Sequence, residues 1–192
     1  TGKLFGYEHE DVMPDIITFS KHFGGGLPIS AVCTSTETAT KAANNGYFAT
    51  RSHATDPLLC AAGEESVDIV VDEDLAGRAR HIERRIKGVF EELAKKYEII
   101  GDIRGRGVLI GIELVEDRET KKPANAALSA VFEYCESHGL IFQKRGVRNM
   151  LNTIRLVPPM TMTDKELDQG LSILADAVKS ASKLSAKKRA SV

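Results

Sequence analysis

A chain of 192 residues with 42% hydrophobic and 28% charged side chains has the composition of a globular protein able to bury a substantial core. Its formal net charge of -1 gives no electrostatic ground for a nucleic-acid or anionic-membrane partner, and no apolar run is long enough to read as a membrane span. Cys33, Cys60 and Cys135 lie far apart and lack close-spaced Cys or His partners, which excludes a disulfide framework or zinc site and points to a reducing, cytoplasmic setting.

The sequence opens at Thr1-Gly2-Lys3-Leu4-Phe5-Gly6 without a methionine, as if inside a loop, which suggests a fragment or processed product. Ile16 to Phe19 and Ile29 to Thr34 are short, partly β-branched apolar runs and predict two strands of a sheet buried on both faces. Between them stands Ser20-Lys21-His22-Phe23-Gly24-Gly25-Gly26-Leu27-Pro28. A lysine at the end of a buried strand loses hydration, which favours the neutral, nucleophilic amine, and the glycines allow a sharp turn beside a bulky partner. A solvent loop is the plainer reading of the same segment.

Glu37 to Asn44 predicts a short helix ended by Asn45-Gly46, and a second helix starts at Pro57 and runs to about Val71. Before it, Ser52-His53-Ala54-Thr55-Asp56 gathers two hydroxyls, an imidazole and a carboxylate where phosphate or cation binding is easy, a helix cap by Thr55 or Asp56 being the alternative. Leu75, Ala79, Ile82, Ile86, Val89, Phe90, Leu93 and Tyr97 recur at three- and four-residue spacing and predict a long amphipathic helix.

From Gly101 the pattern becomes α+β. Gly101, Gly105 and Gly107 read as a strand-entry turn and not a phosphate loop; Val108–Val115 follows as a strand, 126–137 as a helix, Leu140–Gln143 and Thr153–Val157 as strands. Thr163 and Glu166 then form a capping box for a last helix reaching about Ala181. Met150, Met160 and Met162 read as packing residues, and His9, His81 and His138 as exposed residues without partners. Arg155 interrupts an apolar strand; facing inward it needs an anion to pair with, and its planar fork suits a carboxylate, whereas facing solvent it signifies little.

The order Pro14-Asp15-Ile16-Ile17-Thr18, Ser20-Lys21, Gly24, Gly26-Leu27-Pro28, followed by the His53–Pro57 segment, Gly101 to Gly111, and Arg155 with Pro158-Pro159, resembles the class III aminotransferases of pyridoxal phosphate fold type I. The resemblance runs along essentially the whole chain, with the 2,2-dialkylglycine decarboxylase branch nearest within the family. It implies an α/β protein in which residues 1–73 are the C-terminal part of a cofactor-binding large domain with a mainly parallel sheet. Residues 74–100 would be a long connecting helix, 101–181 a small α+β domain, and 182–192 a basic flexible tail.

The resemblance also implies roles. Lys21 would hold pyridoxal 5'-phosphate as a Schiff base and carry the proton between the substrate Cα and the cofactor C4′. Ser52 would donate to the cofactor phosphate of the neighbouring subunit in a homodimer, and Arg155 would clamp the substrate carboxylate. In the decarboxylating branch the Ser52 and Ala54 carbonyls and the Asp56 side chain would hold an alkali metal cation, with Ala54 a departure from the bulkier residue expected there.

The implied function is amino-group transfer between an amino acid or amine and a 2-oxo acid. Decarboxylation-dependent transamination is the first alternative, and an inactive fragment or pseudoenzyme acting as a dimerisation module the second. Because the family's aspartate for the pyridine nitrogen lies upstream of the segment matching Thr1-Gly2, this polypeptide by itself is expected to bind cofactor poorly and turn over little.

Overall fold

The computed structural model describes residues 1–49, 51–142 and 152–189, which divide into two compact units, Lys3–Ala76 and Gly77–Val192 together with Thr1–Gly2. In the first unit, strands β1 (Ile16–Ser20) and β2 (Ser30–Thr34) pair antiparallel, with Ile16 opposite Thr34 and Ser20 opposite Ser30. The connection Lys21–Ile29 is too short for the crossover of about a dozen residues that parallel strands require. Helices α1 (Thr36–Asn44) and α2 (Pro57–Asp72) follow; Ser35 caps α1 through the Thr38 N–H at 3.1 Å.

The expectation of a sheet buried on both faces is overturned here. β1 alternates between exposed and half-buried residues, and every buried hydrophobic side chain among the described residues belongs to the other unit. Conversely, twelve of the fifteen exposed large hydrophobics lie in Lys3–Ala76, with Met13 81% and Phe48 87% exposed. Two strands and two helices do not enclose a core by themselves.

The second unit has a core of its own. Helix α3 (Leu75–Lys96) turns the predicted stripe of Ala79, Ile82, Ile86 and Phe90 inward. Strands β3 (Ile100–Arg106), β4 (Leu109–Leu114) and β5 (Thr153–Leu156) form an antiparallel sheet in that order. Ile110, Ile112 and Ile154 point from it toward Leu128 and Val131 of α4 (Asn125–Ser137) and Leu174 and Val178 of α5 (Asp164–Arg189). All strand pairs among the described residues are thus antiparallel, and among these residues no pair of the mainly parallel sheet that the resemblance implies for the large domain is present.

Several local readings change. Gly101 and Gly105 belong to a strand: a methyl group on Gly101 would stand 2.6 Å from Val115 Cγ1, and one on Gly105, at φ +133°, would collide with the Leu109 carbonyl. The turn is confined to Gly107-Val108. Leu140, Ile141 and Phe142 lie in no strand, and Gln143 and Met150 fall outside the described residues. Thr163 and Glu166 form the expected capping box, with Glu166 N–H 3.3 Å from Thr163 Oγ1 and Thr163 N–H 2.8 Å from Glu166 Oε2. With no glycine or proline to stop it, α5 continues past Ala181 to Arg189.

His9, His81 and His138 all have partners. His81 Nε2 stands 3.1 Å from Asp164, while His138 stacks on Tyr134 at 4.0 Å between ring centroids. Met162 packs against the core, as read.

Candidate active site

Lys21 follows directly on β1 and opens a 3-10 turn over Lys21–Gly24. Its φ of +63° is a left-handed conformation that non-glycine residues seldom adopt. Gly25 (φ +58°) and Gly26 (φ +107°) complete the reversal, tied by Gly25 N–H to the His22 carbonyl at 3.1 Å and Leu27 N–H to the Gly24 carbonyl at 2.9 Å. The Lys21 side chain is exposed and its Nζ has no partner among the described residues, so the desolvation expected from a buried strand end is absent in this chain. Methyl groups built on Gly25 and Gly26 would meet only Ser66 Oγ, at 3.3 Å, and nothing, respectively, so the surface beside the lysine is open.

The Ser52–Asp56 segment is a tight turn with His53 (φ +65°) and Thr55 (φ +58°) both left-handed. Asp56 is the N-cap of α2: its Oδ1 accepts from Leu58 N–H at 3.1 Å, and its Oδ2 stands 3.2 Å from His53 Nδ1. The Ala54 carbonyl accepts from the Thr55 hydroxyl at 2.6 Å. The Asp56 side chain and Ala54 carbonyl expected to hold an alkali cation each already take part in a hydrogen bond within the turn. No cluster of three or more acidic, His or Cys side chains suited to a metal occurs among the described residues. The Ser52 hydroxyl is exposed and without a partner among them.

What links these two turns is a contact that sequence reading missed. α2 packs on the Lys21–Gly24 turn, where Gly63 faces Phe23; no periodic or motif signal announces such a pair, only an unexplained glycine inside a helix. Arg155 belongs to the other unit. On β5 it alternates with buried Ile154 and Leu156 and so faces outward, which overturns the inward reading: a four-residue strand with one buried face leaves its odd position to solvent. Its cross-strand partner is Gly111, and no carboxylate among the described residues pairs with it. Arg155 also lines a predominantly apolar cleft of about 270 Å³ with Ile86, Leu156, Pro158 and Met162.

Comparisons with known proteins give the family and the fold. The family model for class-III aminotransferases matches residues 1–178. The 5-aminovalerate aminotransferase DavT of Pseudomonas aeruginosa is 36% identical over 92% of this chain, and the chain spans about 40% of the length of that relative. Among solved structures, a Bacillus anthracis aminotransferase superposes with a TM-score of 0.81 at 31% identity, over 94% of this chain and 42% of its own. The taurine:2-oxoglutarate aminotransferase of Bifidobacterium kashiwanohense, solved with PLP and glutamate, shares the fold with a TM-score of 0.82 over 95% of this chain and 42% of its own, at 23% identity. With its α/β fold, its glycine-turn lysine and a family match over nearly its whole length, the chain belongs to the class-III aminotransferases.

Proposed function

We propose that this chain carries the cofactor-attaching and carboxylate-binding residues of a pyridoxal 5'-phosphate-dependent aminotransferase that moves an amino group between an amino acid or amine and a 2-oxo acid. The observation that carries the reading is Lys21: an exposed amine, without a partner among the described residues, held at the mouth of an open glycine turn by a left-handed backbone. That chemistry and that open space fit an aldehyde-bearing cofactor. When bound, pyridoxal 5'-phosphate supplies an electron sink for negative charge developing at the substrate Cα.

The chain's own groups do the rest. Lys21 Nζ would be the attachment point and, once released, the base that takes the proton from the substrate Cα and carries it to the cofactor C4′, a role worth roughly 10²–10⁴ in rate. Ser52 offers its hydroxyl, without a partner among the described residues, to a phosphate oxygen near the start of α2, in the neighbouring subunit of a homodimer; the apolar side chains exposed on Lys3–Ala76 support burial of that unit in a larger assembly. Arg155 presents a guanidinium unpaired among the described residues for a bidentate grip on the substrate carboxylate, fixing which bond at Cα is broken. Three free cysteines suit a reducing, cytoplasmic setting.

The test uses the full-length protein that carries this chain and follows ¹⁵N from a labelled amino donor into the product of an unlabelled 2-oxo acid, with added pyridoxal 5'-phosphate. Transfer that disappears in Lys21→Ala supports the reading; transfer unaffected by that change refutes it. Carbon dioxide released from a 2,2-dialkyl amino acid in the same assay would assign the decarboxylating branch instead.

A further inference from the structure

We propose that Phe23, seated in a notch that Gly63 leaves in α2, is the positioning residue that aims Lys21. The inference rests on the reading of Lys21 as the cofactor-attaching amine.

The turn from Lys21 to Gly24 needs an anchor. Lys21 carries an unfavourable backbone conformation, and the side chains of Lys21 and His22 are exposed, so neither holds the turn in place. Phe23 is the half-buried one. On one side its ring meets Phe19 of β1 edge-on at 4.7 Å between centroids, and Phe19 in turn meets Phe5 at 5.9 Å. On the other side it lies against α2, where a methyl group on Gly63 would stand 2.9 Å from Phe23 Cζ and 3.3 Å from Ile29 Cδ1.

A carbon at 2.9 Å is inside van der Waals contact, so any other residue at position 63 displaces the ring. Gly63 is buried within a helix, where glycine is otherwise unfavourable; the notch gives it a reason. Gly24 closes the same joint, since a methyl group there would stand 2.5 Å from Ile29 Cγ2.

Phe23 thus docks on a rigid helix and a strand at once, two residues beyond Lys21. Its seat fixes the direction in which the backbone leaves β1 and hence the direction in which the Lys21 amine projects. Reaction at an amine is sensitive to displacements on the order of 1 Å, so the seat of Phe23 controls reactivity without touching the reacting atoms.

The experiment uses the full chain as Gly63→Ala, Phe23→Leu and the double variant. Each is treated with pyridoxal 5'-phosphate and borohydride, and the labelled peptides are quantified as the ratio of Lys21 to Lys41, an exposed lysine on α1 in the same unit. General loosening of the unit moves both lysines together; misaiming moves Lys21 alone. Gly63→Ala is expected to lower the ratio about tenfold and Phe23→Leu about threefold, and the double variant, whose smaller side chain makes room for the new methyl, to recover to within about threefold of wild type.

An unchanged ratio in Gly63→Ala, or a double variant no better than Gly63→Ala, overturns the positioning role. If Gly63→Ala does not fold, Phe23→Leu decides alone, and an unchanged ratio there overturns it. Wild-type Lys21 labelled no faster than Lys41 would refute the assignment of Lys21 itself, and the positioning role with it.

Discussion

Arg155 on β5 and Arg104 on β3 both take Gly111 of β4 as their cross-strand partner, so two arginines flank one residue without a side chain on the outer face of the sheet. They differ in occupation. Arg104 is held by Asp102 at 2.7 Å and Glu113 at 2.9 Å, which leaves Arg155 as the guanidinium of that row with no carboxylate partner among the described residues, open to an external one. Arg155→Lys keeps the charge and loses the fork, and it is expected to weaken binding of a simple 2-oxo acid about tenfold, read by chemical-shift titration.

The glycines of this sheet separate by the space around them. A methyl group on Gly111 would make only ordinary contact, 3.5 Å from Thr153 Cγ2, so Gly111→Ala should raise stability by about 0.5–1 kcal/mol through the unfolded chain. Gly105→Ala should instead cost about 2–3 kcal/mol, because its φ of +133° and the Leu109 carbonyl exclude a side chain. Urea midpoints of the two variants should move in opposite directions.

Arg118 is a structural arginine that spacing did not reveal. It gathers the end of α3 and the start of β3, donating to the carbonyls of Ala94 at 2.6 Å, Tyr97 at 3.1 Å and Ile100 at 3.0 Å. Arg118→Ala leaves those carbonyls to water and should cost about 1–2 kcal/mol in thermal or urea unfolding.

Acid should loosen the start of α5. The Arg78 hydrogen bond to Asp164, reinforced by His81, holds that carboxyl below its ordinary 3.8, and the Thr163 backbone N–H holds Glu166 below its ordinary 4.5. Both native values are depressed, so their contribution is present above the ordinary values and is lost as pH falls through the native ones. Asp164→Asn should flatten the fall in urea midpoint between pH 5 and about pH 3 relative to wild type.

The cysteines should sort by burial. Cys33 and Cys60 are exposed, whereas burial pushes the Cys135 thiol up to about 11. A thiol reagent at pH 8 should modify the first two at once and Cys135 only on unfolding. Because the Cys135 value is raised, its contribution is complete below the ordinary 9.0 and disappears as pH rises toward about 11.

Legibility in the sequence followed the range of the interaction. The α3 stripe of Ala79, Ile82, Ile86 and Phe90, the Pro57 start of α2 and the Thr163 capping box were readable because their partners lie within one or two turns. β3 was read as a turn because Gly101 and Gly105 look like turn residues, although they are required by the close approach of Val115 and Leu109, which only the folded hairpin brings near. Lys21 and its glycines stood out locally. The outward face of Arg155 and the docking of Phe23 on Gly63 depend on which surfaces meet in three dimensions, and local pattern carries no record of that.

The central claim is that Lys21 is the amine to which the cofactor attaches. Its most direct test is peptide mapping after pyridoxal 5'-phosphate and borohydride treatment of the wild-type chain. The account predicts that the label concentrates on the peptide containing Lys21 and leaves it in Lys21→Arg; label spread over the other exposed lysines, or unchanged in position by that substitution, would contradict it.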